Sequence, residues 1–157
     1  MYLFFDIKNK LIFENHFNKL KITFSSNFLK MKTILVDAVN TLLIPNHWIY
    51  QGMYELLESY PNPKIVLTNA NQEQIQKFWL NKIPYELFTL SHKPEKTDPS
   101  YYQKLIEYYN FQIDDLVYFE HNPEAVKSAQ SLGINTYHYD HSQKDLNALK
   151  EFLDKWA

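Results

Sequence analysis

Five short apolar runs recur between helical segments and constrain the fold of this chain more than any other feature. Their short, unalternating character is typical of parallel strands covered on both faces. Strands and helices that alternate in succession predict a doubly wound α/β domain. The strand-like runs are Thr33–Val36, Lys64–Leu67, Leu87–Leu90, Leu116–Phe119 and Asn135–Tyr139.

Capping residues mark where the helices between these runs begin and end. One predicted helix ends near Tyr109, and Gly133 closes another. Ser142 and Asp145 resemble a capping box for a C-terminal helix. Further helices are predicted over 47–60 and 72–81. Two helices open with an N-cap followed by proline at the first helical position, namely Asp98-Pro99 and Asn122-Pro123.

Residues 1–30 differ in character from residues 31–157. They alternate aromatic residues with Asn and Lys, and Tyr2–Phe5 with Leu11–Phe13 would suit a hairpin. Met31 stands directly before the first strand, as a start residue would. Residues 1–30 are therefore interpreted as an N-terminal extension, either an upstream artefact of the start or a genuine accessory segment, and the α/β domain is predicted over 31–157.

Composition limits the partners and the location of the protein. A length of 157 residues suits one domain, and a net charge of −2 with interspersed signs gives no electrostatic case for nucleic-acid binding. No apolar run approaches the ~20 residues that a membrane helix needs. The absence of cysteine excludes disulfides, thiolate metal sites and cysteine nucleophiles, and it fits a reducing cytoplasm. We expect a cytoplasmic protein that binds neither nucleic acid nor membranes.

Polar residues of catalytic type follow two of the apolar runs. Ligands of doubly wound proteins bind beyond the carboxyl ends of the strands. Asp37 ends the first run and Thr68 follows the second. An acid at the end of a buried strand is uncommon as a packing residue, so Asp37 is predicted to be functional.

Four segments follow one another across about residues 31–140, each at a strand end or a helix start: Asp37–Thr41, Thr68-Asn69, Lys96 and Tyr118–Glu124. In this order they resemble the motifs of the haloacid dehalogenase (HAD) superfamily of hydrolases, whose first motif is Asp-x-Asp-Gly-Thr. The resemblance implies a Rossmann-like three-layer sandwich with a five-stranded parallel sheet in strand order 5-4-1-2-3. It also implies a hydrolase, most often a phosphohydrolase.

The resemblance implies a role for each of these residues. Asp37 would attack phosphorus and form an acyl-phosphate. Lys96, with Lys93 as its competitor, would neutralise charge on the transferring group. Mg²⁺, which prefers oxygen ligands, would be held by Asp37, the carbonyl of Val39 and Glu120. The residues implied in phosphate binding are Thr68, Asn69, Asn40 and Thr41.

The sequence departs from the family pattern at its acids. Val39 stands where the family has the aspartate that protonates the leaving group, a contribution of roughly 10²–10⁴ in rate. This loss favours substrates with good leaving groups, such as acyl phosphates or anhydrides. His121 and Ala125 occupy acid positions of the fourth motif; Glu120 would be the substitute magnesium ligand and His121 the substitute acid or base. Asn40 replaces the family glycine and tolerates positive φ.

Spacing predicts an open site. Thirty-one residues separate Asp37 from Thr68 and twenty-eight separate Thr68 from Lys96, which leaves no room for a cap domain. The expected partner is a small phosphorylated molecule or a phosphorylated macromolecule, and a homo-oligomer would close the site with a neighbouring subunit. A catalytically silent phosphate-binding or regulatory domain stays open as the alternative. A haloacid dehalogenase, which needs a lid, ranks below both.

Overall fold

The computed structural model describes residues 31–44 and 49–157 of the chain. Within them five parallel strands form one sheet in the order β3-β2-β1-β4-β5. This confirms the predicted doubly wound sheet and its strand order. The predicted hairpin and extension over 1–30 lie outside the described residues. The strands are β1 (Thr33–Asp37), β2 (Lys64–Thr68), β3 (Glu86–Thr89), β4 (Leu116–Glu120) and β5 (Asn135–His138).

Helices connect the strands, and most begin where capping chemistry predicted. Asp98 and Asn122 are N-caps with proline at the next position, and Gly133 follows the second of these helices with a φ of 89°. The predicted start at residue 47 lies outside the described residues. The helices are α1 (Gln51–Glu58), α2 (Gln72–Lys77), α3 (Pro99–Tyr109), α4 (Pro123–Ser131) and α5 (Leu146–Trp156), with short 3₁₀ turns at Leu80–Lys82 and Ile113–Asp115.

The predicted capping box at the C-terminal helix is wrong. Asp145 is itself the N-cap of α5, because its carboxylate accepts from the backbone N–H groups of Asn147 (3.1 Å) and Ala148 (3.0 Å). Ser142 instead donates to Asp140 Oδ1 at 2.6 Å within the preceding turn. Both residues are turn formers, and the pattern alone does not tell which oxygen reaches the helix.

Two apolar cores cover the two faces of the sheet. Because side chains alternate along a strand, Ile34 and Val36 of β1 enter one core and Leu35 the other. The first core includes buried residues of α1, α2 and α5, and the second is filled by α3 and α4. This is the predicted three-layer sandwich. Because both faces of the sheet are covered, polar groups lie at the ends of the strands. In the part of the chain that the structure describes, no helix has the length and apolar character to span a membrane.

Candidate active site

The carboxyl ends of three neighbouring strands bring the candidate residues to one edge of the sheet. Asp37 ends β1, Thr68 ends β2 and Glu120 ends β4. The strand order reverses at β1, which lies between β2 and β4, and such a switch point is where doubly wound folds bind ligands. Asp37 is 1% exposed and Glu120 fully buried, so neither is an ordinary surface acid.

Lys96 lies between the two acids. Its Nζ donates to Asp37 Oδ1 and to Glu120 Oε2, the latter at 2.6 Å. Burial of Lys96 works to lower its pKa, but the charges of the two carboxylates outweigh burial and raise that pKa. The backbone N–H of Lys96 donates to Asn69 Oδ1 (2.9 Å), which anchors the loop before α3. Lys93 is exposed, so Lys96 is the lysine beside Asp37.

The ring of His121 also bridges the two carboxylates. Its Nδ1 lies 2.6 Å from Asp37 Oδ2 and 3.1 Å from Glu120 Oε1. Hydrogen bonds to these two acids raise the pKa of His121 to about 9 although burial opposes them. The backbone carbonyl of His121 accepts from His138 Nε2 (2.9 Å), and the ring packs edge-on against His141. His121 is therefore a second cation in the cluster, held on several sides.

The loop after β1 fixes Asp37. Thr41 Oγ1 donates to Asp37 Oδ2 at 2.6 Å, and the backbone N–H of Leu42 donates to the Asp37 carbonyl. Asn40 has a φ of 65°, as expected for the residue in place of a glycine. Asn40 and Thr41 do not line the pocket: the amide of Asn40 lies 3.4 Å from His121 Nε2, and Thr41 orients the acid. Their predicted contact with phosphate therefore stays a prediction.

Glu120 accepts from four protein donors. Besides Lys96 and His121, the backbone N–H of Asn122 donates to its Oε1 (2.8 Å) and the hydroxyl of Tyr118 donates to its Oε2 (2.5 Å). Burial works to raise the pKa of Glu120, but the charge of Lys96 and the hydrogen bonds from its neighbours hold that pKa below its usual range. Burial and the charge of Glu120 raise the pKa of Tyr118 well above its usual value, so Tyr118 stays a donor.

A pocket of about 200 Å³ opens beside these groups. It is bounded by Asp37, Thr68, Asn69 and Lys96 on its polar side, and the half-exposed ring of Phe78 forms an apolar part of its wall. Among the lining residues that the sequence did not predict, three are brought to the pocket by α2 with the residue that follows it and by the loop after β3. They are Gln74, Phe78 and His92.

The residues that the resemblance implies for Mg²⁺ lie together, but their arrangement does not suit the ion. Donor atoms of Asp37, Glu120 and His121 lie within 4.8 Å of one another. All four carboxylate oxygens already accept from protein groups, and a ring nitrogen stands between the acids. Mg²⁺ demands a near-octahedral shell of oxygen ligands. While the His121 ring stands there, the two acids offer Mg²⁺ no free oxygen.

The stability of the protein is expected to depend on pH through His121. A raised pKa stabilises the folded state fully below the unfolded value near 6.5, and this contribution is lost as the pH rises through about 9. The free energy of unfolding should therefore fall between pH 6.5 and 9, as measured by urea denaturation across that range. The fall should shrink in His121→Gln and persist in His92→Gln, because the His92 ring bonds to Glu95 and Gln74 rather than to the two buried acids. Equal slopes in all three proteins would contradict the assignment.

Comparison with known proteins shows the fold and no more. No protein-family model matches the chain, and no curated protein does. Among solved structures, an uncharacterized protein from Corynebacterium glutamicum superposes with a TM-score of 0.57 at 12% identity, covering 79% of this chain and 96% of that one. A HAD-superfamily hydrolase, subfamily IA, variant 1, from Geobacter sulfurreducens superposes with a TM-score of 0.56 at 13% identity, covering 73% and 90%. These likenesses show that the chain has a Rossmann-type α/β fold similar to that of these two proteins.

Proposed function

We propose that the chain is a hydrolase that uses Asp37 as a nucleophile on a phosphorylated substrate with a good leaving group. The observation that carries the proposal is the placement of a buried acid at the switch point of the sheet, against a buried lysine and beside a pocket. Acids are rarely buried without a partner or a role, and this acid has both a partner and access to a cavity.

The first chemical step transfers the phosphoryl group to the protein. The group would lie between Asp37 and Thr68, with the ammonium of Lys96 and the backbone N–H of Asn69 near its oxygens. An oxygen of Asp37 attacks phosphorus and the bond from phosphorus to the leaving oxygen breaks. A carboxylate leaves without a proton, which an acyl phosphate permits and an alkyl phosphate does not.

The second step regenerates the free carboxylate of Asp37. Water attacks phosphorus and the bond between phosphorus and the Asp37 oxygen breaks. Both protons of the water leave with the product, which is dihydrogen phosphate. Thr41 and His121 hold Oδ2 of Asp37 and so orient the carboxylate between the two steps.

In the residues that the structure describes, no cap domain covers the proposed site, and we propose that substrates enter from an open face. The segment between β1 and β2 contains α1, and the segment between β2 and β3 contains α2 and a 3₁₀ turn. Neither connection has the length of a lid domain. A small acyl phosphate and a phosphorylated macromolecule both fit such a face, and closure by a second copy of the chain is the proposed alternative to an open site.

A catalytically silent phosphate-binding domain is the second candidate. Two observations favour it. The side chain of Val39, which lines the pocket, has no ionisable group that could protonate a leaving group, and both oxygens of Asp37 already accept from protein donors. Such a domain would bind phosphate at the polar side of the pocket and release no product. Binding of inorganic phosphate without turnover of any acyl phosphate would select it.

Substrate preference tests the proposal. The wild-type protein should release phosphate from acetyl phosphate and release far less from alkyl phosphates such as glycerol phosphate. Val39→Asp restores an acid at the side of the pocket and should raise kcat/KM for the alkyl ester by roughly 10²–10⁴. Val39→Asn is the matched control, because it adds a polar side chain of the same shape without an ionisable proton.

Three results would contradict the proposal, two from that assay and one from a parallel assay on 2-haloacids. They are a wild-type protein that turns over no acyl phosphate, a preference for alkyl esters, and release of halide from 2-haloacids without release of phosphate. The last would favour the dehalogenase.

A further inference from the structure

We infer that the His121 ring takes the place between Asp37 and Glu120 that Mg²⁺ would occupy, so that this site works without a divalent cation. The statement about turnover without a metal rests on the proposed function. The statement that the ring bridges the two acids does not, and a metal-binding measurement tests it directly.

The ring bridges the two acids. Nδ1 reaches an oxygen of each acid, Asp37 Oδ2 at 2.6 Å and Glu120 Oε1 at 3.1 Å. A metal ion between two carboxylates would bind one oxygen from each in the same way. The other oxygen of each acid accepts from Lys96, so the ammonium group and the ring nitrogen share the four oxygens between them.

The oxygens of the two acids are already occupied by protein donors. Each oxygen of Asp37 and Glu120 accepts a hydrogen bond, from Lys96, from the His121 ring or from a neighbouring group. An added Mg²⁺ would face the ammonium group of Lys96 at close range and would have to break hydrogen bonds to reach an oxygen. A buried cluster whose acids already have these partners gains little from a further ion.

The ring is also held so that moving it aside is unfavourable. The backbone carbonyl of His121 accepts from His138, and the His121 ring packs nearly perpendicular to the ring of His141. The neighbouring N–H of Asn122 bonds to Glu120, which fixes the backbone on which His121 lies. A histidine whose side chain projects into solvent would make none of these contacts. The ring therefore acts as a fixed part of the site.

Thermal unfolding with added MgCl₂ tests the inference, with MnCl₂ as a second probe and NaCl at equal ionic strength as the blank. A ligand that binds the folded state raises Tm with its concentration. The wild-type Tm should not rise with either metal beyond the blank. In His121→Ala and His121→Asp the acids lose the bridging ring, and Tm should rise with MgCl₂ in a saturable manner. His141→Ala, which leaves the bridge intact, should behave as the wild type.

Each result decides the inference. A saturable rise in the wild-type Tm overturns it. A failure of the folded variants to respond to metal also overturns it, because the ring would then not occupy a place that can bind a metal ion. If the variants do not fold, the wild-type titration alone decides. Turnover of acetyl phosphate that a chelator leaves unchanged supports the consequence for catalysis. A wild type that binds no metal and turns over nothing rejects the proposed function and leaves the bridging role of the ring standing.

Discussion

Replacement of Lys96 by methionine is expected to lower the free energy of unfolding by about 3–5 kcal/mol. Methionine approximates the length of the lysine stem but leaves Asp37 and Glu120 facing each other without the shared ammonium group. Both acids are buried, so water replaces the lost partner poorly. Chemical denaturation followed by circular dichroism at pH 7 measures the change.

Lys93→Met is the matched control, because Lys93 is exposed three residues earlier in the same loop and should change stability little. Adding Glu120→Gln to Lys96→Met removes one of the stranded charges, so the double variant should be less destabilised than the two single losses added together. A Lys96→Met protein as stable as Lys93→Met would show that the buried ion pairs do not form in solution.

Replacement of Asp37 by asparagine is expected to lower kcat/KM for acetyl phosphate by at least about 10³-fold, because an amide cannot attack phosphorus to form the intermediate. The amide keeps the shape of the acid, and its oxygen still accepts a hydrogen bond. The loss should therefore appear in kcat, with the fold preserved by circular dichroism. Phosphate release under saturating substrate measures it.

Asp114→Asn makes the same chemical change at an exposed position and should keep the wild-type rate. Comparable turnover in Asp37→Asn and Asp114→Asn would remove Asp37 from the mechanism. Lys96 and Thr68 would then still bind phosphate, and a different residue would be the nucleophile.

The sheet was predictable because its signals are local. Short apolar runs fix the strands, and the Asp98 and Asn122 caps with their prolines mark the starts of α3 and α4. The position of Asp37 follows from the end of β1, and that of Lys96 from the loop before its helix. These inferences need no knowledge of how distant segments meet.

Side-chain directions and contacts between distant segments were not predictable in the same way. The bond from Thr41 to Asp37 turns the hydroxyl away from the pocket, and the sequence allowed either direction. Gln74 and His92 reach the pocket from α2 and the loop after β3, and their bond to each other forms only in the folded chain. His121 was predicted as an acid or base, whereas its place between two carboxylates is a product of the β1–β4 pairing.

A trapped intermediate tests the central claim most directly. The protein is mixed with acetyl phosphate, quenched in acid within the first turnover and digested, and its peptides are measured by mass spectrometry. The peptide that contains Asp37 should gain the mass of one phosphoryl group, lose it on treatment with hydroxylamine, and show no gain in Asp37→Asn. An unmodified peptide during active turnover, or a phosphoryl group on a different residue, would contradict the account.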